Sequence, residues 1–200
     1  MTQKEKMIGG KLYLAYDEEL IRERLHAQSL CFELNQLPPK ELAQRSELFR
    51  KLFGSIGEDF YMETPFRCDY GYNITIGKRF YCNYNCVMLD CAPITIGDYV
   101  MIGPNVSLFA AGHPVCHDLR YQELEYAFPI AIGDHVWIGG GVIINPGVTI
   151  GSRTVIGAGS IVTKDLPDDC VCAGNPCRVI RKITDRDRKY YFKDKAVSND

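Results

Sequence analysis

From Ile76 to Pro176 the apolar positions of this chain return every six residues. The clearest run places an aliphatic residue at Ile132, Ile138, Ile144, Ile150, Ile156 and Val162, and glycine follows four of these six, at Gly133, Gly139, Gly151 and Gly157. Four places after each start comes a small or β-branched residue, Val136, Val142, Val148, Thr154 and Ser160, with Leu166 departing. The same phase holds earlier at Ile96, Ile102 and Leu108, with Gly97 and Gly103. A six-residue period fits neither the 3.6 of an α-helix nor plain strand alternation. It predicts a solenoid in which each hexapeptide is a short strand plus a bend and buries its apolar face only by stacking on its neighbours. Glycine is expected to serve the bend, where a Cβ would oppose the turn conformation. A sandwich with Gly-rich turns is the alternative, and nine hexapeptides in one phase argue against it.

This pattern resembles the left-handed parallel β-helix of the hexapeptide acyltransferases, in which three hexapeptides close one triangular coil. The coils would stack at the strand spacing of about 4.8 Å. Residues 58–177 are assigned to this β-helix, with one inserted loop at 113–129. Residues 1–57 read as a helical cap. Asp17 can cap a helix with Glu18 and Glu19 in its first turn. Leu20, Ile21, Leu25, Cys31, Phe32 and Leu34 form its apolar stripe, and Pro38-Pro39 breaks it. A second helix carries Leu42, Phe49, Leu52 and Phe53 and stops near Gly54. Such helices would cover the open end of the prism, whose strand edges otherwise invite aggregation. A basic tail, 178–200, follows; from Arg178 to Lys195 it holds eight Lys or Arg against three Asp.

Composition narrows the class. A net charge of −2 over 200 residues gives no sign of nucleic-acid binding. No apolar run has transmembrane length, and Met1 to Lys11 is charged, without the apolar stretch of a signal peptide, so a cytoplasmic protein away from the membrane is expected. Nine cysteines form no Cys-x-x-Cys pair. Reduced, buried cysteines are expected, and no metal site.

The inserted loop carries the chemistry. It begins Ala111-Gly112-His113-Pro114 and contains His117, Asp118 and Glu125. His113 ends its hexapeptide and should point outward at a corner, and a histidine is the natural general base near neutral pH. Taken alone, it reads first as a surface histidine beside a turn. Cys116, three residues on, raises a Cys–His nucleophile as a lesser alternative.

The whole chain resembles the maltose and galactoside O-acetyltransferase family, with the nodulation acetyltransferases as cousins. Glu5-Lys6-Met7-Ile8-x-Gly10-x-Leu12-Tyr13, Pro65-Phe66-Arg67-Cys68-Asp69-Tyr70-Gly71-Tyr72-Asn73-Ile74 and Cys86-Val87-Met88-Leu89-Asp90 are similar to the maltose branch. Asp185-Arg186-Asp187-x-x-Tyr190-Tyr191-Phe192-Lys193-Asp194 is similar to the galactoside branch. The resemblance implies an acetyl-CoA-dependent O-acetyltransferase acting on a sugar by direct transfer, with His113 as base. It implies an oxyanion donor at the backbone near Gly140. Glu125 is a candidate orienter of His113; a solvated loop carboxylate is the other reading. Carried-over acceptor residues are Asp69, Asn83 and Asp90, with Tyr81 flanking the sugar; Asn85 reads as a turn residue. Two departures bear on the acceptor. Cys91 stands where the galactoside relative has a second acid, and Ala15 where it has an early acidic contact, so the resemblance carries no galactoside preference here. For coenzyme A the family implies Trp137, Gly140, Ala158, Thr163, Lys164, Arg178 and Arg181. Trp137, the only tryptophan, either packs along the pantetheine arm or lies under the loop; Arg181 and the residues beyond it can also form a solvated face.

The hexapeptide phase places Asn83 and Trp137 at one corner of the prism and His113 at another. If all serve one site, that site lies between neighbouring prisms, and a homotrimer with three clefts is expected. Rival functions are a γ-class carbonic anhydrase using His113, His117 and His135, a non-catalytic scaffold of the same fold, and the same chemistry on an antibiotic, serine or amino-sugar acceptor.

Overall fold

The computed structural model describes residues 1–197; the end of the basic tail, 198–200, lies outside the described residues. Three parallel sheets form a prism of about six turns. Sheet A stacks Ser55–Ile56, Ile74–Ile76, Ile94–Ile96, Ile130–Ile132 and Thr149–Ile150. Sheet B stacks Tyr61–Met62, Tyr81–Cys82, Met101–Ile102, Trp137–Ile138, Val155–Ile156 and Cys170–Ala173. Sheet C stacks Phe66–Cys68, Cys86–Leu89, Ser107–Phe109, Ile143–Ile144 and Ile161–Val162. The repeat's aliphatic starts become vertical columns inside the prism: Ile76, Ile96, Ile132 and Ile150 in A; Cys82, Ile102, Ile138 and Ile156 in B; Met88, Leu108, Ile144 and Val162 in C, all buried. The small fifth positions fill the corners. Thr154 and Ser160 are buried, and each hydroxyl donates to a carbonyl, of Pro167 and Gly157, at 2.6 Å. Eight of the nine cysteines are buried, Cys116 alone being exposed, and all are free thiols.

The repeat glycines answer a different need from the one expected. Gly77, Gly97 and Gly133 do not have positive φ; that conformation falls two residues later, on Arg79, Tyr99 and His135. Glycine is required because the coils touch. A Cβ at Gly97 would lie 2.8 Å from the Gly133 carbonyl carbon, and one at Gly133 would lie 2.8 Å from the Ser152 nitrogen. The same corner holds the coils together through side chains. Asp98 accepts from Lys78 N–H at 2.9 Å, Asp134 from Asp98 N–H at 2.8 Å, and Asp168 from Ser152 N–H at 2.9 Å.

Helices α1 (Gln3–Ile8), α2 (Glu18–Gln36) and α3 (Leu42–Leu52) precede the prism. Asp17 caps α2, accepting from Glu19 N–H at 3.0 Å. The stripe that α2 buries is Leu20, Ala27, Cys31 and Leu34, whereas Leu25 and Phe32 face outward. The open strand edges of the first coil meet cap side chains. Asn35 donates to the Phe66 carbonyl and accepts from the Phe66 N–H, both at 2.9 Å. Arg50 donates to the Ile56 carbonyl at 3.1 Å. Phe49 and Phe53 pack edge-on against Phe66. At the far end an antiparallel strand, Arg178–Lys182, pairs with Cys170–Ala173. A helix, Arg186–Lys189, and a short hairpin follow. None of the described helices is long and apolar enough to cross a membrane.

Candidate active site

The loop that leaves the prism after sheet C is an ordered layer. Ala111–Gly112 pairs antiparallel with Leu124–Ala127, which pairs antiparallel with Tyr13–Leu14 from the cap; helix α4 (His117–Tyr121) closes the turn. His113 follows Gly112 directly and is exposed at the rim. Its Nε2 lies 3.8 Å from Glu125 Oε1, and the other carboxylate oxygen, Oε2, accepts from the Tyr13 hydroxyl at 2.6 Å. Tyr13 is buried, and burial first, then the neighbouring Cys91 and Glu125, pushes its hydroxyl far up, so it is a standing donor. Sequence reasoning held Tyr13 only as part of a motif; its partner is too distant along the chain to be visible in any local pattern.

Beside Glu125 opens a cavity of about 310 Å³ lined by Ala15, Tyr16, Arg24, Asp69, Cys91 and Glu125. Burial raises the Asp69 carboxyl above its ordinary value, opposed by the Cys91 thiol, which donates to it at 3.4 Å, and by the Arg24 charge. Arg24 is fixed by two bonds of 2.8 Å, to the Tyr70 hydroxyl and the Ala15 carbonyl. It is a site residue the sequence did not single out, because it sits on a polar helix face among other charges. The cavity therefore offers two carboxylates, a guanidinium and a thiol in one partly buried place, a set suited to hydroxyl groups.

A second hollow, a groove of about 410 Å³, runs down the outer face of sheet B. Tyr81, Met101, Trp137 and Val155 stack along it. Next to them Asn83 heads a column of glycines, Gly103, Gly139 and Gly157, that leaves the floor free of side chains. Gly139 and Gly141 spend their N–H groups on the Ile156 and Pro104 carbonyls at 2.8 Å, while the Gly140 N–H has no acceptor among the described residues. A narrow slot with an exposed indole and an unspent backbone donor can take an extended, partly apolar chain ending in a carbonyl.

Comparison with known proteins places this geometry. Residues 6–57 match the maltose acetyltransferase hexapeptide capping motif, and residues 129–164 the bacterial transferase hexapeptide (six repeats). The galactoside O-acetyltransferase of Escherichia coli K12 is 50% identical over 199 residues, which is 100% of this chain and 98% of that protein. The chain belongs to the galactoside and maltose O-acetyltransferase family. Among solved structures, a galactoside acetyltransferase in complex with coenzyme A superposes with a TM-score of 0.97 at 50% identity, covering 100% of both chains. A maltose O-acetyltransferase from Clostridium difficile does so with a TM-score of 0.91 at 52% identity, covering 92% of this chain and 98% of that one. The fold is the hexapeptide-repeat β-helix expected of this family of enzymes.

Within the family frame the structure sorts the expected site residues. His113, Glu125 and Asp69 gather at the corner between sheets C and A; Tyr81, Asn83, Trp137, Gly140 and Ala158 gather in the groove. The strands straddle the hexapeptide boundary, so Asn83 and Trp137 lie on the outer face of sheet B and not at the corner expected between A and B. Asp90 corrects an expectation. It is wholly buried, and its carboxylate accepts from the backbone N–H groups of Asp69, Tyr70 and Asn73 at 3.1, 2.8 and 3.3 Å. It holds the turn that presents Asp69 and has no surface for a sugar. Thr163 and Lys164 are exposed past the end of sheet C; Arg178 lies opposite Ala173, two strands beyond the groove. Arg181 is committed to Asp187 through two bonds of 2.8 and 2.7 Å, which leaves it no free fork for a phosphate. Asn85 adopts positive φ as a turn residue. The histidines of the carbonic anhydrase reading have other partners: His117 Nε2 lies 3.2 Å from Asp118, and His135 stacks on Tyr99 at 4.8 Å.

Proposed function

We propose that the protein transfers the acetyl group of acetyl-CoA to a hydroxyl of a sugar, directly, with His113 as general base. The observation that carries this reading is the exposed His113 beside Glu125, a carboxylate that itself lines a polar cavity with Asp69 and Arg24. A sugar hydroxyl is a poor nucleophile at neutral pH. His113 takes its proton as the oxygen attacks the thioester carbonyl, and Glu125 stabilises the imidazolium that forms. The unspent Gly140 N–H receives the oxyanion. Collapse of the tetrahedral intermediate breaks the C–S bond, and the imidazolium returns the proton to the departing thiolate.

Acetyl-CoA lies along the groove of sheet B, with Trp137 against its pantetheine arm and Lys164 and Arg178 toward its phosphates. Related structures support this ligand: one relative is bound to coenzyme A, and a Vibrio cholerae acetyltransferase at 40% identity is bound to acetyl-CoA. The base corner and the groove lie on different faces of one chain. One prism therefore offers two half-sites, and a homotrimer in which each cleft joins one chain's base corner to a neighbour's groove completes them. The test is a screen of maltose, glucose, galactosides, amino sugars and serine with acetyl-CoA, following release of the free thiol. Sugars should turn over, and His113→Ala should lower that rate by about 10²–10⁴ while acetyl-CoA still binds. Near wild-type turnover in that variant sinks the base assignment.

A further inference from the structure

Three side chains stand in one row across the loop sheet. The register pairs Ala111 with Ala127 and Gly112 with Tyr126, so the next step brings His113 opposite Glu125. On the other side of the same strand Tyr13 is paired with Glu125. The row runs from core to solvent: Tyr13 is 1% exposed, and the Glu125 and His113 side chains 22% and 59%. Its bonds divide the carboxylate cleanly. Tyr13 Oη holds Oε2 at 2.6 Å, and Oε1 is left facing His113 Nε2 at 3.8 Å. The other polar neighbour, Cys91, donates its thiol to Asp69, so the hydroxyl proton of Tyr13 is directed to Glu125.

We propose that Tyr13 is a positioning residue for catalysis, anchoring Glu125 so that its free oxygen meets the His113 imidazole. This rests on the reading of His113 as the base. A carboxylate on a strand side chain has free torsions, and one short charge-assisted bond from a buried, immobile ring removes that freedom. The strand Tyr13–Leu14 belongs to the N-terminal cap, so the cap does more than cover strand edges; it completes the catalytic row. The ring of Tyr13 fills the core, and phenylalanine would fill it equally. The hydroxyl is the part that serves Glu125.

Tyr13→Phe keeps the ring and deletes that hydroxyl. It should lower kcat roughly tenfold, the scale of one hydrogen bond to a charged group, while the KM values for acetyl-CoA and for the best sugar acceptor stay within about twofold. In a Glu125→Gln background the same substitution should cost nothing further, because both act through one carboxylate. Unchanged kcat, a rise in KM alone, or a full additional loss on top of Glu125→Gln overturns the proposal. Thermal melts of each variant separate these results from unfolding. The two failures are distinguishable: an active His113→Ala removes the base reading itself, whereas an inactive His113→Ala beside a fully active Tyr13→Phe removes only the role of Tyr13.

Discussion

Asp69 and Asp90 lie in successive coils but one register step apart, since Cys68 pairs with Met88 and Asp69 therefore falls opposite Leu89, and their surroundings give them different work. Asp69 opens into the cavity with Arg24. Asp90 is one coil further along, sealed, and satisfied by backbone N–H groups. Burial pushes the Asp90 carboxyl up to about 6 against the pull of the Tyr70 N–H. A carboxyl raised in the folded state contributes stability that is fully present below its unfolded value near 3.8 and lost as pH rises through about 6. The melting temperature of the wild-type protein minus that of Asp90→Asn should therefore fall between pH 4 and pH 7. A difference that stays flat across that range would mean the Asp90 carboxyl is not raised above its unfolded value. In the Asp90→Asn variant the side-chain oxygen still accepts from the Tyr70 N–H, but an amide donor is turned toward the Asn73 N–H. At pH 4 the wild type should therefore be the more stable of the two.

At the scale of the strand and its bend, the fold stands on backbone contact between coils. A Cβ at Gly139 would meet the Ala158 nitrogen at 2.6 Å and the Ile156 carbonyl oxygen at 2.9 Å. Both belong to the next coil's backbone, which is fixed by its own ladder and cannot yield cheaply. Overpacking of this kind costs about 1–3 kcal/mol, so Gly139→Ala should lower the melting temperature by roughly 2–12 °C for a chain of this size. An unchanged melting curve would show that the coils can part, and that glycine here is a matter of history and not of contact. The sequence pointed to these glycines, with the wrong reason attached. A bend and a close approach leave the same letter in the chain, and only coordinates distinguish them.

For the molecule as a whole, the separation of the two half-sites makes a mixing prediction. His113→Ala and Asn83→Ala proteins should each be nearly inactive. When the two are unfolded together and refolded, mixed trimers would contain some clefts with His113 from one chain and Asn83 from its neighbour, both intact. Part of the wild-type activity should return, measured as thiol release from acetyl-CoA. Mixed trimers that form and stay inactive would put both residues in a single chain's site, against their placement on different faces.

The hexapeptide run was enough to determine the β-helix, because its signal is local and repeats: each aliphatic start from Ile96 to Val162 finds its own place in a column, and nine repetitions average out chance. The cap helices were legible for the same reason, through Asp17 and an apolar stripe, although Leu25 and Phe32 on that stripe turned outward because α2 meets the prism along one narrow face. His113 and Glu125 could be proposed from the loop that holds them. What bound them into a row could not, since Tyr13 lies 112 positions from Glu125 and no periodicity joins a cap strand to an inserted loop. Nor could the sequence separate a carboxylate that opens into a cavity from one that holds a turn. Asp69 and Asp90 are the same residue type in successive coils, one register step apart, and the difference between them is solvent, which the packing of the chain removes from Asp90.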